Sequence, residues 1–122
     1  MRFLRDLKVS EEYPREGKSL FSSNNPGGSR ICEWLRIDDK YSLSVQASES
    51  HYCTPRALLP LDKYEEFEIA IIYDGCLTCD IRVLKEFPRY EELMEFNEGD
   101  IFAFVPKNLI EDLYCWWINS FR

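Results

Sequence analysis

Residues 67–73, Phe67-Glu68-Ile69-Ala70-Ile71-Ile72-Tyr73, are the most apolar run in the chain, and Asp74-Gly75 follows directly. A short run rich in β-branched and aromatic residues, closed by a turn dipeptide, reads as a central strand. Asp-Gly favours the type I′ hairpin, in which both central residues need positive φ. Residues 76–83 are therefore expected to return antiparallel. This pair directs the chain toward an antiparallel sheet.

The flanking segments extend that sheet. Residues 31–37 are strand-like, and Asp38-Asp39-Lys40 reads as a tight turn. Residues 41–48 alternate strictly, with Tyr41, Leu43, Val45 and Ala47 on one face and Ser42, Ser44, Gln46 and Ser48 on the other. One face is expected to be buried and the other wet, in a hairpin with residues 31–37. Residues 88–94 suit a short acidic helix, broken by Asn97-Glu98-Gly99-Asp100, and residues 101–105 a buried strand. Pro106 fits the first turn of a helix, where its missing N–H costs nothing. Leu109, Ile110, Leu113, Trp117 and Phe121 then recur at three- and four-residue steps as one apolar stripe. Asn108, Glu111, Asp112 and Asn119 form the expected wet side.

The fold class implied is α+β. An antiparallel sheet of about four to five strands is packed on one face by a C-terminal helix, with a short acidic helix beside it. The 122 residues suit a single domain with a real core and need neither disulfides nor a metal. Residues 1–30 read as an irregular N-terminal arm ending in an Asn/Gly/Ser-rich loop, with a short strand or helical turn over residues 2–7. Residues 31–122 read as the compact core.

Composition narrows the function classes. Residues 1–56 hold nine Lys/Arg against eight Asp/Glu, whereas residues 57–122 hold six against fourteen. Phosphate contacts are made by Lys and Arg, so this asymmetry argues against nucleic-acid binding. It suits a soluble protein, or one that meets a partner with a basic surface. Five cysteines, an odd number set inside apolar patterns, read as small buried hydrophobes with free thiols in a reducing compartment. No run of about 18 apolar residues marks a membrane span. The N-terminus is too short and too charged for a signal peptide, so a cytoplasmic location is expected.

Residues 44–56 carry the densest chemistry, including His51, the only histidine. Gln46 and Ser48 project from the strand, and His51, Tyr52 and Arg56 follow in a loop. Arg56 supplies a planar charged fork and His51 a switchable donor, so the segment is a candidate for holding an anion or a peptide. Alternatively, Arg56 ties the loop to a carboxylate and Tyr52 plugs the core edge. Catalysis would need Ser48, Ser50 or Cys53 paired with His51 and an orienting acid, and no elbow motif surrounds any serine. Cys76-Leu77-Thr78-Cys79 would need His51 and Cys53 as a second pair to hold zinc, and it follows a turn rather than opening a helix as redox pairs do. No metal and no cofactor are expected. Residues 86–100, with six acids and one base, form either a solvated helix and loop or a charged docking face. Trp116 lies about 100° from Trp117 on a helix, at the stripe's margin. There it serves as an interface anchor or packs on the N-terminal arm.

The segment Ser-Val-Gln-Ala-Ser-x-x-His-Tyr-Cys-x-Pro-Arg resembles one in small proteins carried by phages and bacterial genomes. In those proteins an apolar strand follows, and then a helix start of the Val-Pro kind. The counterparts here are residues 44–56, 64–72 and 102–110, which leaves the first forty residues unmatched. The resemblance implies a phage or mobile-element origin and a compact α+β domain, but no reaction. The function expected is a small acidic cytosolic binding protein, an inhibitor of a host macromolecule by stoichiometric contact. The alternative is a binder of a small anionic metabolite or nucleotide through residues 51–56.

Overall fold

The computed structural model describes residues 1–10 and 30–120. Its elements in order are α1 (Arg2–Asp6), β1 (Leu35–Arg36), β2 (Tyr41–Gln46), β3 (Glu66–Tyr73), β4 (Cys76–Leu77), α2 (Tyr90–Met94), β5 (Phe102–Pro106) and α3 (Lys107–Ser120). Single 3₁₀ turns lie at Leu61–Lys63 and Arg82–Leu84. The architecture is α+β: a five-stranded antiparallel sheet with a C-terminal helix and short helices. The expected Asn/Gly/Ser-rich loop and Phe121 lie outside the described residues.

β3 is the centre of the sheet. β2 pairs along its length, from Tyr41↔Tyr73 to Gln46↔Glu68. Its other edge is divided, with β5 taking Glu66 to Ile69 and β4 taking Ile72 and Tyr73. Asp74 and Gly75 have φ of 52° and 82°, the two positive values that the turn dipeptide implies. β4 ends after two residues, shorter than the expected 76–83. Thr78 accepts the Asp80 amide at 3.0 Å, and Asp80 grips Arg82, turning the chain away into the 3₁₀ turn.

β1 is likewise shorter than the expected 31–37, and a side chain is the reason. The Leu35↔Leu43 register, continued, sets Cys32 opposite Gln46. There the Gln46 amide takes the place of the ladder. Its Oε1 accepts the Cys32 N–H at 2.7 Å, and its Nε2 donates to the Cys32 carbonyl at 3.0 Å and to Ser44 Oγ at 3.0 Å. Cys32 bridges Val9 on its other side. The face expected to be wet is therefore closed: Ser44, Gln46 and Ser48 are all buried.

The inner face carries Leu43, Val45, Phe67, Ile69 and Ile71, all buried. Across it lies α3, which buries Leu109, Ile110, Leu113 and Trp117 of the expected stripe, with Tyr114 and Ile118 added. Tyr41 meets Trp117 with ring centroids 5.5 Å apart, fixing the helix on that face. Pro106 ends β5, one residue before the helix it was expected to enter.

The helical turn read over residues 2–7 forms as α1, and it is anchored in the core by Phe3 and Leu7. Phe3 is fully buried and meets Phe67 edge-on at 5.5 Å. Glu111, expected on the wet side, accepts the amides of Arg2 and Phe3 at 2.9 and 3.0 Å. Burial works against its charge, but the bonds from Phe3 and Arg2 hold its carboxyl below the ordinary range. Tyr114 adds a hydrogen bond to Asp6 at 2.7 Å.

Phe3→Ala is expected to cost roughly 3–5 kcal/mol of stability by urea unfolding, the range for removing a buried aromatic ring. An Arg5→Ala change on the exposed side of α1 should shift the midpoint by far less.

Candidate binding surface

Residues 47–65 carry the chain from β2 to β3, and backbone and side-chain bonds pin them. Arg30 donates to the carbonyls of Leu59 at 2.7 Å and Ala47 at 2.8 Å, and to the Tyr64 hydroxyl at 3.2 Å. That hydroxyl donates to the Ala57 carbonyl and accepts the Leu59 amide at 2.9 Å. Thr54 bridges Glu66, so the loop rejoins β3 before turning back. A half-buried guanidinium bonded to carbonyls replaces the strand ladder that this stretch lacks.

Within that frame the expected site residues separate. His51 turns inward: its Nδ1 lies 2.7 Å from Ser48 Oγ, which also accepts the Ser50 amide at 3.1 Å. Burial pushes the imidazole pKa below its ordinary value, aided by Arg30 and Arg56 and opposed by Glu68 and Glu49. The ring is neutral near pH 7. Ser48 is fully buried, so its hydroxyl has no route to a substrate. Cys53 is buried too, its thiol raised above the ordinary range by burial and bonded to the Ser48 carbonyl at 3.1 Å. Of the three candidate nucleophiles, Ser48 and Cys53 are buried, and the exposed Ser50 has its Oγ 3.3 Å from Ser48 Oγ. Gln46 is committed to Cys32, as described above.

Tyr52 and Arg56 turn outward. The Arg56 guanidinium lies 5.0 Å from the centre of the Tyr52 ring, and the other neighbour of that ring is Phe104 at 5.8 Å, tilted by 38°. Tyr52 and Phe104 are 43% and 41% exposed, which is high for adjacent aromatic rings. The Tyr52 amide donates to Glu68 at 3.0 Å, and its carbonyl accepts the Phe104 amide at 3.0 Å. Thr54 donates to Glu66 at 2.7 Å, so two carboxylates border the stack.

Phe104 is the residue that the sequence pattern concealed. Residues 101–105 are continuously apolar and read as a fully buried strand. Between the pairs Phe67↔Val105 and Ile69↔Phe102, however, one β3 residue faces two on β5. This bulge puts Phe104 at φ 57°, a left-handed conformation uncommon for a bulky side chain, and swings its ring to solvent while Phe102, Ala103 and Val105 stay buried. No local signal marks the bulge. Arg30, at the edge of a polar loop, was equally silent.

Trp116 is half-buried and packs on Phe87 at 5.4 Å, while residues 11–29 of the expected N-terminal arm lie outside the described residues. Cys76 and Cys79 are exposed free thiols, and among the described residues no three His, Cys, Asp or Glu side chains gather as a metal site. No helix among the described residues is long and apolar enough to cross a membrane. Comparison with protein-family models, curated proteins and solved structures finds no match for the chain.

Because folding lowers the His51 pKa, the unfolded chain binds its proton more tightly. His51 therefore costs nothing at high pH and destabilises the fold as pH falls through the ordinary imidazole value near 6.5. Thermal melts should lose stability between about pH 7 and pH 5, and His51→Asn should flatten that slope. An unchanged slope in the variant would remove His51 as its source.

Proposed function

We propose that the protein acts by stoichiometric contact with a macromolecule bearing a basic surface, and that the Arg56–Tyr52–Phe104 stack is its anchor. The single observation that carries this reading is a strained backbone holding an aromatic ring out of the core. A non-glycine residue in the left-handed region costs of order 1–3 kcal/mol and persists where its surroundings over-determine it, commonly at functional sites. Here the strain keeps Phe104 beside Tyr52 in solvent.

The chemistry of the patch supports a basic partner. Tyr and Arg are enriched among residues that dominate binding energy, because they offer large rigid area with polar tips. An aromatic face attracts a guanidinium or ammonium, and Glu66 and Glu68 beside it add the matching charge. The excess of acids over residues 57–122 steers such a partner toward the surface. The resemblance to phage-carried proteins makes a host macromolecule the natural target, with inhibition as the outcome. The anionic-ligand reading is weaker on the same geometry. His51 is turned inward and neutral, leaving Arg56 alone to hold the charge.

Pull-down from bacterial lysate should recover a saturable partner, and Tyr52→Ala or Arg56→Ala should weaken it by about 30-fold or more, equivalent to about 2 kcal/mol. Melting temperatures of both variants should stay near that of the parent, since both side chains are exposed. Recovery of no saturable partner, or equal capture by the variants, would sink the proposal. Phe104→Gly offers a sharper separation. Relief of the left-handed strain should leave stability unchanged or raised by about 1 kcal/mol, while partner binding falls.

A further inference from the structure

β3 alternates, so Phe67 and Ile69 face the core while Glu66 and Glu68 share the opposite face of the sheet. Two residues apart on one strand, their Cα atoms are about 7 Å apart. The bulge in β5 decides what stands beside them. With Phe67 opposite Val105 and Ile69 opposite Phe102, Glu68 is the residue that faces both Ala103 and Phe104. Tyr52 joins the two: its amide donates to Glu68 Oε1 at 3.0 Å, and its carbonyl accepts the Phe104 amide at 3.0 Å. Glu66 adjoins them through Thr54, whose hydroxyl donates to Glu66 Oε1 at 2.7 Å. One sheet face thus gathers two carboxylates and two exposed rings, tied together by the main chain.

The charges of this cluster are out of balance. Glu66 and Glu68 are half-buried, and neither makes an ion pair among the described residues, whereas their neighbour Glu65 meets Lys107 at 3.5 Å. Each has one oxygen bonded to the segment 52–54, which leaves its Oε2 without a partner among the described residues. Arg56, the cation of the same patch, lies over the Tyr52 ring at 5.0 Å and is likewise outside any ion pair among the described residues. Like charges held on one strand face repel each other, and partial burial reduces the screening between them. A cation from outside relieves both costs. Arg56 already occupies the Tyr52 ring, so the aromatic surface open to that cation is Phe104. A flat cation suits the geometry better than a round one. A guanidinium can lay its plane on a ring while its edge donates to carboxylate oxygens, whereas an ammonium is a compact and strongly hydrated charge.

We propose that the partner of the stack is a protein that lays one arginine side chain on Phe104, its guanidinium donating to Glu68 and Glu66. This rests on the reading above and narrows it, from a basic surface to a single side chain and from the aromatic stack to the carboxylates beside it. Phe104 supplies the plane, Glu68 across the bulge the first carboxylate, and Glu66 the second. The φ of 57° at Phe104 belongs to the bulge that sets its ring beside Glu68. Nucleic acid, with its phosphates, carries the wrong charge for this pair of acids.

Nα-acetyl-arginine methylamide titrated into the ¹⁵N-labelled full chain tests the proposal, with the lysine counterpart in parallel. Saturable movement of the Tyr52 and Phe104 amide signals is expected, with a dissociation constant of about 1–10 mM, as fits one side chain. The lysine compound should bind at least about threefold more weakly. Glu68→Gln and Glu66→Gln should each weaken the arginine compound by about fivefold or more. Both variants keep an amide oxygen for the bonds from Tyr52 and Thr54, so the remaining amide signals should stay in place. No saturable movement up to about 50 mM would overturn the arginine site. So would lysine binding as tight as arginine, or unaltered affinity in both glutamine variants. A lysate partner that needs Tyr52 but is held equally by Glu66→Gln and Glu68→Gln would overturn the arginine site and leave the stack as anchor. Capture of no partner at all would overturn both.

Discussion

A strand buried on both sides must hydrogen-bond both of its edges, and β3 meets that demand with three partners. β2 and Thr54 occupy one edge from Tyr73 back to Glu66. The other edge is shared between β4 and β5, with the Thr78 amide reaching the Ile71 carbonyl at the join. Unpaired backbone groups in that interior would each cost about as much as a lost hydrogen bond. The shape of the molecule follows from this division. β4 stays short because β5 takes the other half of the edge, and β5 runs directly into α3, which returns across the inner face.

The same demand explains the irregular parts. Where strand pairing stops, side chains take over the role of the backbone. Gln46 saturates both polar groups of Cys32, and Arg30 with Tyr64 saturates carbonyls and an amide across residues 47–59. Glu111 does so for the first amides of α1. Each of these polar side chains looks like solvent-facing chemistry when read in isolation. In the fold they are structural, whereas Tyr52, Arg56 and Phe104 stand exposed together at the surface.

This sorting has a consequence for how residues 44–56 work. The first part is drawn into the sheet and its coverings and His51 folds back on Ser48, while Tyr52 and Arg56 reach solvent together with Glu49, Ser50 and Thr54. Their neighbour Phe104 arrives from β5, held there by the Tyr52 carbonyl and the bulge. Two segments far apart in sequence thus build one aromatic patch. The rigidity of that patch comes from main-chain bonds rather than from the rings themselves.

What the chain alone determined were the features set by periodicity and turn chemistry. The central strand, the turn at Asp74-Gly75, the alternation of residues 41–47 and the apolar stripe of α3 depend on neighbours within a few positions, and such patterns are legible in one dimension. For Tyr52 and Arg56 the letters allowed two outcomes, an exposed pair or a plug at the core edge tied to a carboxylate, because a proline-ended loop fixes neither direction. What only the tertiary structure decided were the partners of polar groups. Whether Gln46 faces water or Cys32, whether Glu111 caps α1, and whether Phe104 points in or out depend on a register set by residues 14, 108 and 36 positions away. A one-residue bulge reverses the face of a side chain while leaving the hydrophobic pattern unchanged, so nothing in the letters of residues 101–105 records it.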